Sequence, residues 1–248
     1  MEVTAMPKSE VIRLIVDEEM PLAQGLRRLQ VLAHDVGNKE LERWAECELV
    51  GYKDGDDLPE YRVAKSIDFA YSGISNFALK VENVPLSPGY FKEDTLELLA
   101  DVKFAQSVSS LEDMLDGASD IIKIDRSIFA SEIAKRTSNA LQCTLIYQKI
   151  PKSFLVNALE EIRNRVIKAL MAMEDEYGNL DKKGINIAGR TKASLSRSNA
   201  KVNEEALNVH VENIDDARDS IRDKVVWGIV AAIAVAVIAG IILKLMPF

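Results

Sequence analysis

Six cations crowd one short stretch of this 248-residue chain. Between Asn179 and Lys201 the sequence NLDKKGINIAGRTKASLSRSNAK carries Lys182, Lys183, Arg190, Lys192, Arg197 and Lys201 against the single acid Asp181, in a chain whose formal net charge is -8. Two chemistries fit such a run. It can be a flexible basic linker resting on anionic lipid headgroups, or a surface that tracks the phosphates of a nucleotide or oligonucleotide, with serine and asparagine adding hydrogen bonds. The run is poor in aromatics, so base stacking would have to come from elsewhere. Next in line as phosphate contacts are Arg27 and Arg28, near His34, and Arg163 and Arg165, which ride with Lys168 one turn after Glu160 and Glu161. On a helix such residues are ordinarily a solvated, ion-paired face.

Other chemistry is largely excluded by residue supply. The acidic balance argues against a generic nucleic-acid-coating protein, so any anionic ligand needs a local basic patch. His34 and His210 are the only histidines, which leaves no histidine-based triad or metal site within one chain. Cys47 and Cys143 are far apart, as in a reducing compartment, and Cys47 stands between Glu46 and Glu48, whose charge opposes a thiolate. Asp54, Asp56 and Asp57 suggest a calcium loop, but Lys65 stands where its closing carboxylate belongs, and Asp-Gly is a turn signal by itself. No Gly-rich phosphate loop is present. No cofactor and no catalysis are expected.

The elements that must position these residues follow from periodicity. Helices are expected from Ser9, with Ser9 as cap, and from Pro21, with Leu22, Leu26, Leu29 and Leu32 inward and Gly37 as stop. A third, capped near Asn38, carries Leu41, Trp44, Ala45 and Leu49. The alternating stretches YRVAKSIDFAYS and NFALKVENVPL read as two strands. Helices near Glu93 to Ala105 and Ser110 to Gly117, a short strand DIIKID, a helix RSIFASEIAKRT and a strand LQCTLIYQKI come next. The longest helix runs from Pro151 to about Tyr177 and closes at Gly178. EEALNVHVENI reads as a strand. The fold class is α+β: a mainly helical domain with a small β-sheet over residues 1–178, a basic linker and juxtamembrane segment over 179–223, and a transmembrane helix over 224–246.

That last assignment rests on Val225 to Leu243, VVWGIVAAIAVAVIAGIIL, which has no charged side chain. As a helix it would be about 28 Å long, close to the bilayer hydrocarbon core of about 30 Å. Arg218, Arg222 and Lys224 precede it and Lys244 follows, so the positive-inside bias leaves the large domain in the cytoplasm, tail-anchored. Gly228, Ala232, Ala236 and Gly240 recur every fourth residue, a stripe along which two helices can pack closely.

The run from Pro21 to Ser66 resembles the start of the AbiTii domain of bacterial antiphage proteins. It shows a Leu-rich helix, a Gly-Asn break at Gly37 and Asn38, E-L-x-x-W from Glu40 to Trp44, E-L-x-G-Y from Glu48 to Tyr52, and P-x-Y-R from Pro59 to Arg62. Residues 150–176 resemble that domain's closing helix, and the resemblance spans about Ser9 to Tyr177. It implies a defence role and supplies no chemistry. An AbiTii-like domain followed by a membrane span further resembles the membrane effector of the Hailong defence system. That resemblance implies an ion channel in the bacterial inner membrane, controlled by single-stranded DNA oligomers made by a partner nucleotidyltransferase. One span per chain cannot enclose a pore, so a homo-oligomer is expected, a tetramer in the simplest case. The alternative is a non-conducting, tail-anchored adaptor that recruits a partner to the membrane.

Overall fold

A helix of 26 residues, Lys152–Tyr177 (α7), is the axis of the larger of two apolar clusters. It buries Leu155, Ala158, Leu159, Ile162, Val166, Ala169, Leu170 and Met173, spaced by three and four so that one stripe runs its whole length. The computed structural model describes residues 9–207, except 77, 182–184 and 186. Within them α1 (Glu10–Val16), α2 (Leu22–Asp35) and α5 (Val108–Leu115) pack against α7, and α3 (Lys39–Val50) packs on α2 and α5. The expected inward leucines of α2, Leu22, Leu26, Leu29 and Leu32, are all buried. Gly37 turns the chain at φ +70, and the Asn38 side chain then accepts from the Leu41 amide to start α3.

Two small sheets complete the unit. Val63–Lys65 (β1) pairs antiparallel with Asp101–Lys103 (β4). A four-stranded antiparallel sheet has the order β3-β2-β6-β5, from Leu79–Leu86, Phe69–Ser75, Leu141–Pro151 and Ile121–Asp125. Its inner face carries Phe69, Tyr71 and Ile146, which pack with Phe91, Leu99 of α4 (Glu93–Ala100) and Ile133 of α6 (Ala130–Arg136) in a second apolar cluster. Buried Gln148 ties the sheets together, donating through Nε2 to the carbonyls of Ser66 and Leu99, both at 2.7 Å, and accepting from Arg126 Nε at 3.0 Å.

The architecture is α+β, as the patterning implies, with four local corrections. The strand expected through YRVAKSIDFAYS is two strands in different sheets. Ser66 breaks it, because its hydroxyl donates to the Lys149 carbonyl and accepts from the Asp68 amide two residues on, holding a turn. The helix expected to reach Ala105 stops at Ala100. Beyond it Val102 and Phe104 are buried while Lys103 is exposed, a strand alternation that joins β4 to β1. Ser9 stands at the start of α1 without capping it. Its hydroxyl donates to Glu174 Oε1 and accepts from the Leu180 amide, and the Asp181 carboxylate instead takes the amides of Glu10 and Val11.

The fourth correction concerns the basic segment. Lys192–Leu207 is a helix (α8), and the compact unit runs to Leu207 rather than ending at residue 178. Glu204 to Leu207, expected in a strand, form its last turn. Thr191 starts the helix by accepting from the Ser194 amide through Oγ1. Its buried side is Ser198, Val202, Asn203 and Ala206, at helical spacing but half polar, so a purely apolar pattern does not reveal it. Gly228, Ala232, Ala236, Gly240 and the whole of Val225 to Leu243 lie outside the described residues, and among the described residues no helix is long and apolar enough to cross a membrane.

Candidate functional site

Among the described cations of the basic segment Arg190 is half-buried, and Lys192, Arg197 and Lys201 are exposed, Lys201 with an ion-pair partner. Lys182 and Lys183 lie outside the described residues. Arg190 is half-buried: Nη2 donates to the Glu176 carbonyl at 2.5 Å, Nη1 to Ser198 Oγ at 3.4 Å, and the guanidinium lies 4.8 Å from the centre of the Tyr177 ring. Lys201 Nζ donates to Glu176 Oε1 at 2.8 Å, and Ser198 Oγ donates to Glu176 Oε2 at 2.7 Å. Lys201 first, then Ser198, hold the Glu176 carboxyl below its ordinary range. Lys192 and Arg197 are exposed. The structure therefore brings Arg190 and Lys201 to one glutamate and leaves Lys192 and Arg197 outside that contact.

The remaining arginines separate similarly. Arg27 is exposed, whereas Arg28 Nη2 donates to the Leu180 carbonyl at 2.7 Å. Both border an open cavity of about 430 Å³ between α1 and α2, with Val11, Leu14, Met20 and Val31 as its apolar lining. Glu10 and Asp181 line it too, so its charge is mixed. Arg163 is mostly buried, with Glu160 Oε1 at 3.6 Å from its Nε, and its Nε and Nη1 have no hydrogen-bond partner among the described residues. Arg165 donates from Nε to Glu161 at 2.8 Å and from Nη1 to the carbonyl of Leu207, the last residue of α8, at 3.1 Å.

Arg165 leads to the centre of the domain, which the charge pattern did not reveal. Its guanidinium lies 4.9 Å from the centre of the Tyr61 ring. Tyr61 donates its hydroxyl to Glu48 Oε1 at 2.6 Å and accepts from Trp44 Nε1 at 3.0 Å. Tyr52 donates to the same Oε1 at 2.7 Å, while Glu48 Oε2 pairs with Arg62 Nη2. Arg62 Nη1 adds the carbonyls of Phe104, at 3.1 Å, and Gln106, at 2.6 Å. The Glu48 and Arg62 side chains are both 0% exposed. Burial above all, and the Glu48 charge after it, push both tyrosine hydroxyls far up, so they remain donors. Gly51 lets α3 end beside this network: its φ is +94, and a Cβ there would stand 2.8 Å from the Ala105 carbonyl oxygen. The signal in the sequence is that Trp44, Glu48, Gly51, Tyr52, Tyr61 and Arg62 belong to the motifs quoted above.

The family model for AbiTii matches residues 9–197. The chain belongs to the AbiTii family. No curated protein and no solved structure matches it. Membership gives the protein a role in abortive-infection defence, and the matched residues take in the start of α8 as well as the motifs that build the buried network. In this AbiTii domain the motif residues Glu48, Tyr52, Tyr61 and Arg62 form a hydrogen-bonded network around a buried ion pair. Asp56 of the acidic loop accepts from Arg43 Nη2 and the Lys53 amide, closing the turn. Among the described residues no group of three or more His, Cys, Asp or Glu side chains is placed to hold a metal ion.

Proposed function

We propose that this AbiTii protein is the membrane effector of an antiphage system, a non-enzymatic ion channel whose opening is controlled by an oligonucleotide. The observation that carries the reading is the uncharged run from Val225 to Leu243, which follows the AbiTii domain in the chain and is long enough for a bilayer span. The domain would face the cytoplasm and the span would cross the bacterial inner membrane once. Several copies, four in the simplest ring, would associate along Gly228, Ala232, Ala236 and Gly240. A pore lined by alanine, valine and isoleucine has no charged filter. It can close by dewetting and, once widened, pass ions with little selectivity, which suffices to depolarise a cell.

The ligand reading is supported by the exposed Lys192 and Arg197, the neighbouring Arg190 and Lys201, and Lys182 and Lys183 earlier in the run. Their chemistry suits the phosphates of single-stranded DNA from a partner nucleotidyltransferase, acting as an inhibitor of opening. The test is conductance of the purified protein in a planar bilayer with and without short single-stranded DNA. Current that DNA suppresses is the expected result. A silent bilayer under both conditions would refute the channel and leave the span as the tether of a recruiting adaptor.

A further inference from the structure

α8 is attached to its domain by a polar seam beside a short apolar stripe. Of its sixteen residues it buries Ser198, Val202, Asn203 and Ala206, whereas the fourteen-residue α2 buries four leucines and two alanines. Leu207 packs part-buried against the same core, and hydrogen bonds add to the attachment. Asn38 Nδ2 donates to Asn203 Oδ1 at 2.8 Å, Asn203 Nδ2 to Glu40 Oε2 at 2.7 Å, and Asn199 Nδ2 to the Val36 carbonyl at 3.1 Å. Tyr177 donates its hydroxyl to Asn199 Oδ1 at 2.7 Å. Every one of these groups can be hydrated if the helix leaves, so separation sacrifices little that water does not replace. An element with few apolar contacts and a polar seam belongs to the low-stability end of a fold.

The grip on α7 is concentrated at Glu176, and its cations are Arg190 and Lys201. A phosphate oxygen that engages either cation competes with Glu176 for it. We infer that α8 is a releasable helix, and that the phosphates of a single-stranded oligonucleotide release it by taking Arg190 and Lys201 from Glu176. This rests on the oligonucleotide reading above and adds how that ligand would act. Tyr177 extends the argument. Its ring is covered by the Arg190 guanidinium, and once Arg190 turns to a phosphate the ring is bared as a stacking platform for a base, supplying the aromatic that the basic run lacks. A bilayer surface is a poorer fit, because a flat sheet of headgroups meets the exposed Lys192, Arg197 and Lys201 but not the half-buried Arg190. Release also frees the Leu207 carbonyl from Arg165, at the point where the chain continues toward Val225.

The experiment is hydrogen exchange with mass spectrometry on the full chain in detergent, with oligothymidylate or anionic vesicles added, and with binding followed in parallel by fluorescence anisotropy. Bound oligothymidylate should speed exchange in 195–207 by about tenfold while α2 is unchanged. Glu176→Gln should raise α8 exchange without ligand and tighten oligothymidylate binding, because the carboxylate that competes for Lys201 is gone while the backbone carbonyl that holds Arg190 remains. Unchanged protection of α2 and α3 in that variant shows that the rest of the domain is folded. Binding with α8 exchange unchanged or slowed overturns release and leaves oligonucleotide control standing. Absence of binding overturns both. Faster exchange with vesicles alone overturns the oligonucleotide as the releasing polyanion.

Discussion

Replacing Glu48 by glutamine tests whether the buried network is what locks the AbiTii fold. In the native domain Oε1 receives two tyrosine hydroxyls and Oε2 receives Arg62, with both charged side chains fully buried. A glutamine amide can keep only part of this. With its oxygen toward the tyrosines, its NH2 faces the Arg62 donors. Turned over, it meets Arg62 with a neutral oxygen and requires the tyrosine hydroxyls to rotate and accept. Either way Arg62 remains a buried cation without its counter-charge, and its Nε already has no hydrogen-bond partner among the described residues. Breaking a buried pair from one side costs about 3–5 kcal/mol. At about 2–4 °C per kcal/mol for a domain of this size, the least of these costs lowers Tm by about 6–12 °C. Thermal unfolding followed by circular dichroism measures it. Adding Arg62→Met to Glu48→Gln should recover part of the loss, since the stranded charge disappears. A Tm within about 2 °C of wild type for Glu48→Gln, or a double variant as unstable as the two single losses combined, would refute the lock. The tyrosines give the same network a pH signature. Their folded pKa values are raised, so the stability they contribute is complete below their unfolded value near 10 and is lost as pH climbs above it.

Three other outcomes are expected. Gly51→Ala should destabilise by about 1–3 kcal/mol or more, since its Cβ meets a backbone carbonyl at a positive φ, while Gly55→Ala, at φ +92 with open space around it, should cost less; comparative thermal melts decide this. Burial pushes the Cys143 thiol up to about 11, so its alkylation by iodoacetamide in the native protein should still be rising with pH well past 9, and a plateau near the ordinary thiol value of about 8.5 would contradict that burial. Gly228→Leu together with Gly240→Leu should abolish bilayer current and cell toxicity without altering the melting of the AbiTii domain, whereas undiminished current would remove the small-residue stripe from the pore.

Legibility in the sequence followed how much each element depends on apolar periodicity. α2 and α7 bury leucines at three and four, α3 buries Leu41 and Ala45 with Trp44 and Leu49 partly covered, and the limits of all three are readable within a residue or two, as are Asn38 and Gly178 at their ends. β1 and β4 were not, because each is three residues long and is specified by its partner, so Ser66 and the DVKF alternation carried the only local signs. α8 was hidden for a different reason. Ser198, Asn199 and Asn203 are addressed to particular partners, and a rule that reads serine and asparagine as loop residues must miss a helix that docks through them. Glu48 and Arg62 stand fourteen residues apart, and charge alone makes both look like surface residues. Only their convergence in space shows that they neutralise one another.

That convergence separates what the family motifs specify from what the protein does. Trp44, Glu48, Tyr52, Tyr61 and Arg62 each occupy a position where substitution strands a buried partner, and Gly51 one where a side chain meets the backbone. Such residues are constrained by folding energy whatever ligand the domain serves. Function is better sought where polar contacts are replaceable by water or by a ligand. In the described domain this points to the seam between α7 and α8, where Glu176 competes for the same cations a phosphate would take. The lock and the seam are joined through one side chain, since Arg165 stacks on Tyr61 and also holds the Leu207 carbonyl. Arg165→Gln should therefore loosen the end of α8 while leaving the Glu48 and Arg62 pair in place. Faster exchange confined to the last turn of α8, with little loss of Tm, is the result that would assign Arg165 to the seam rather than to the lock.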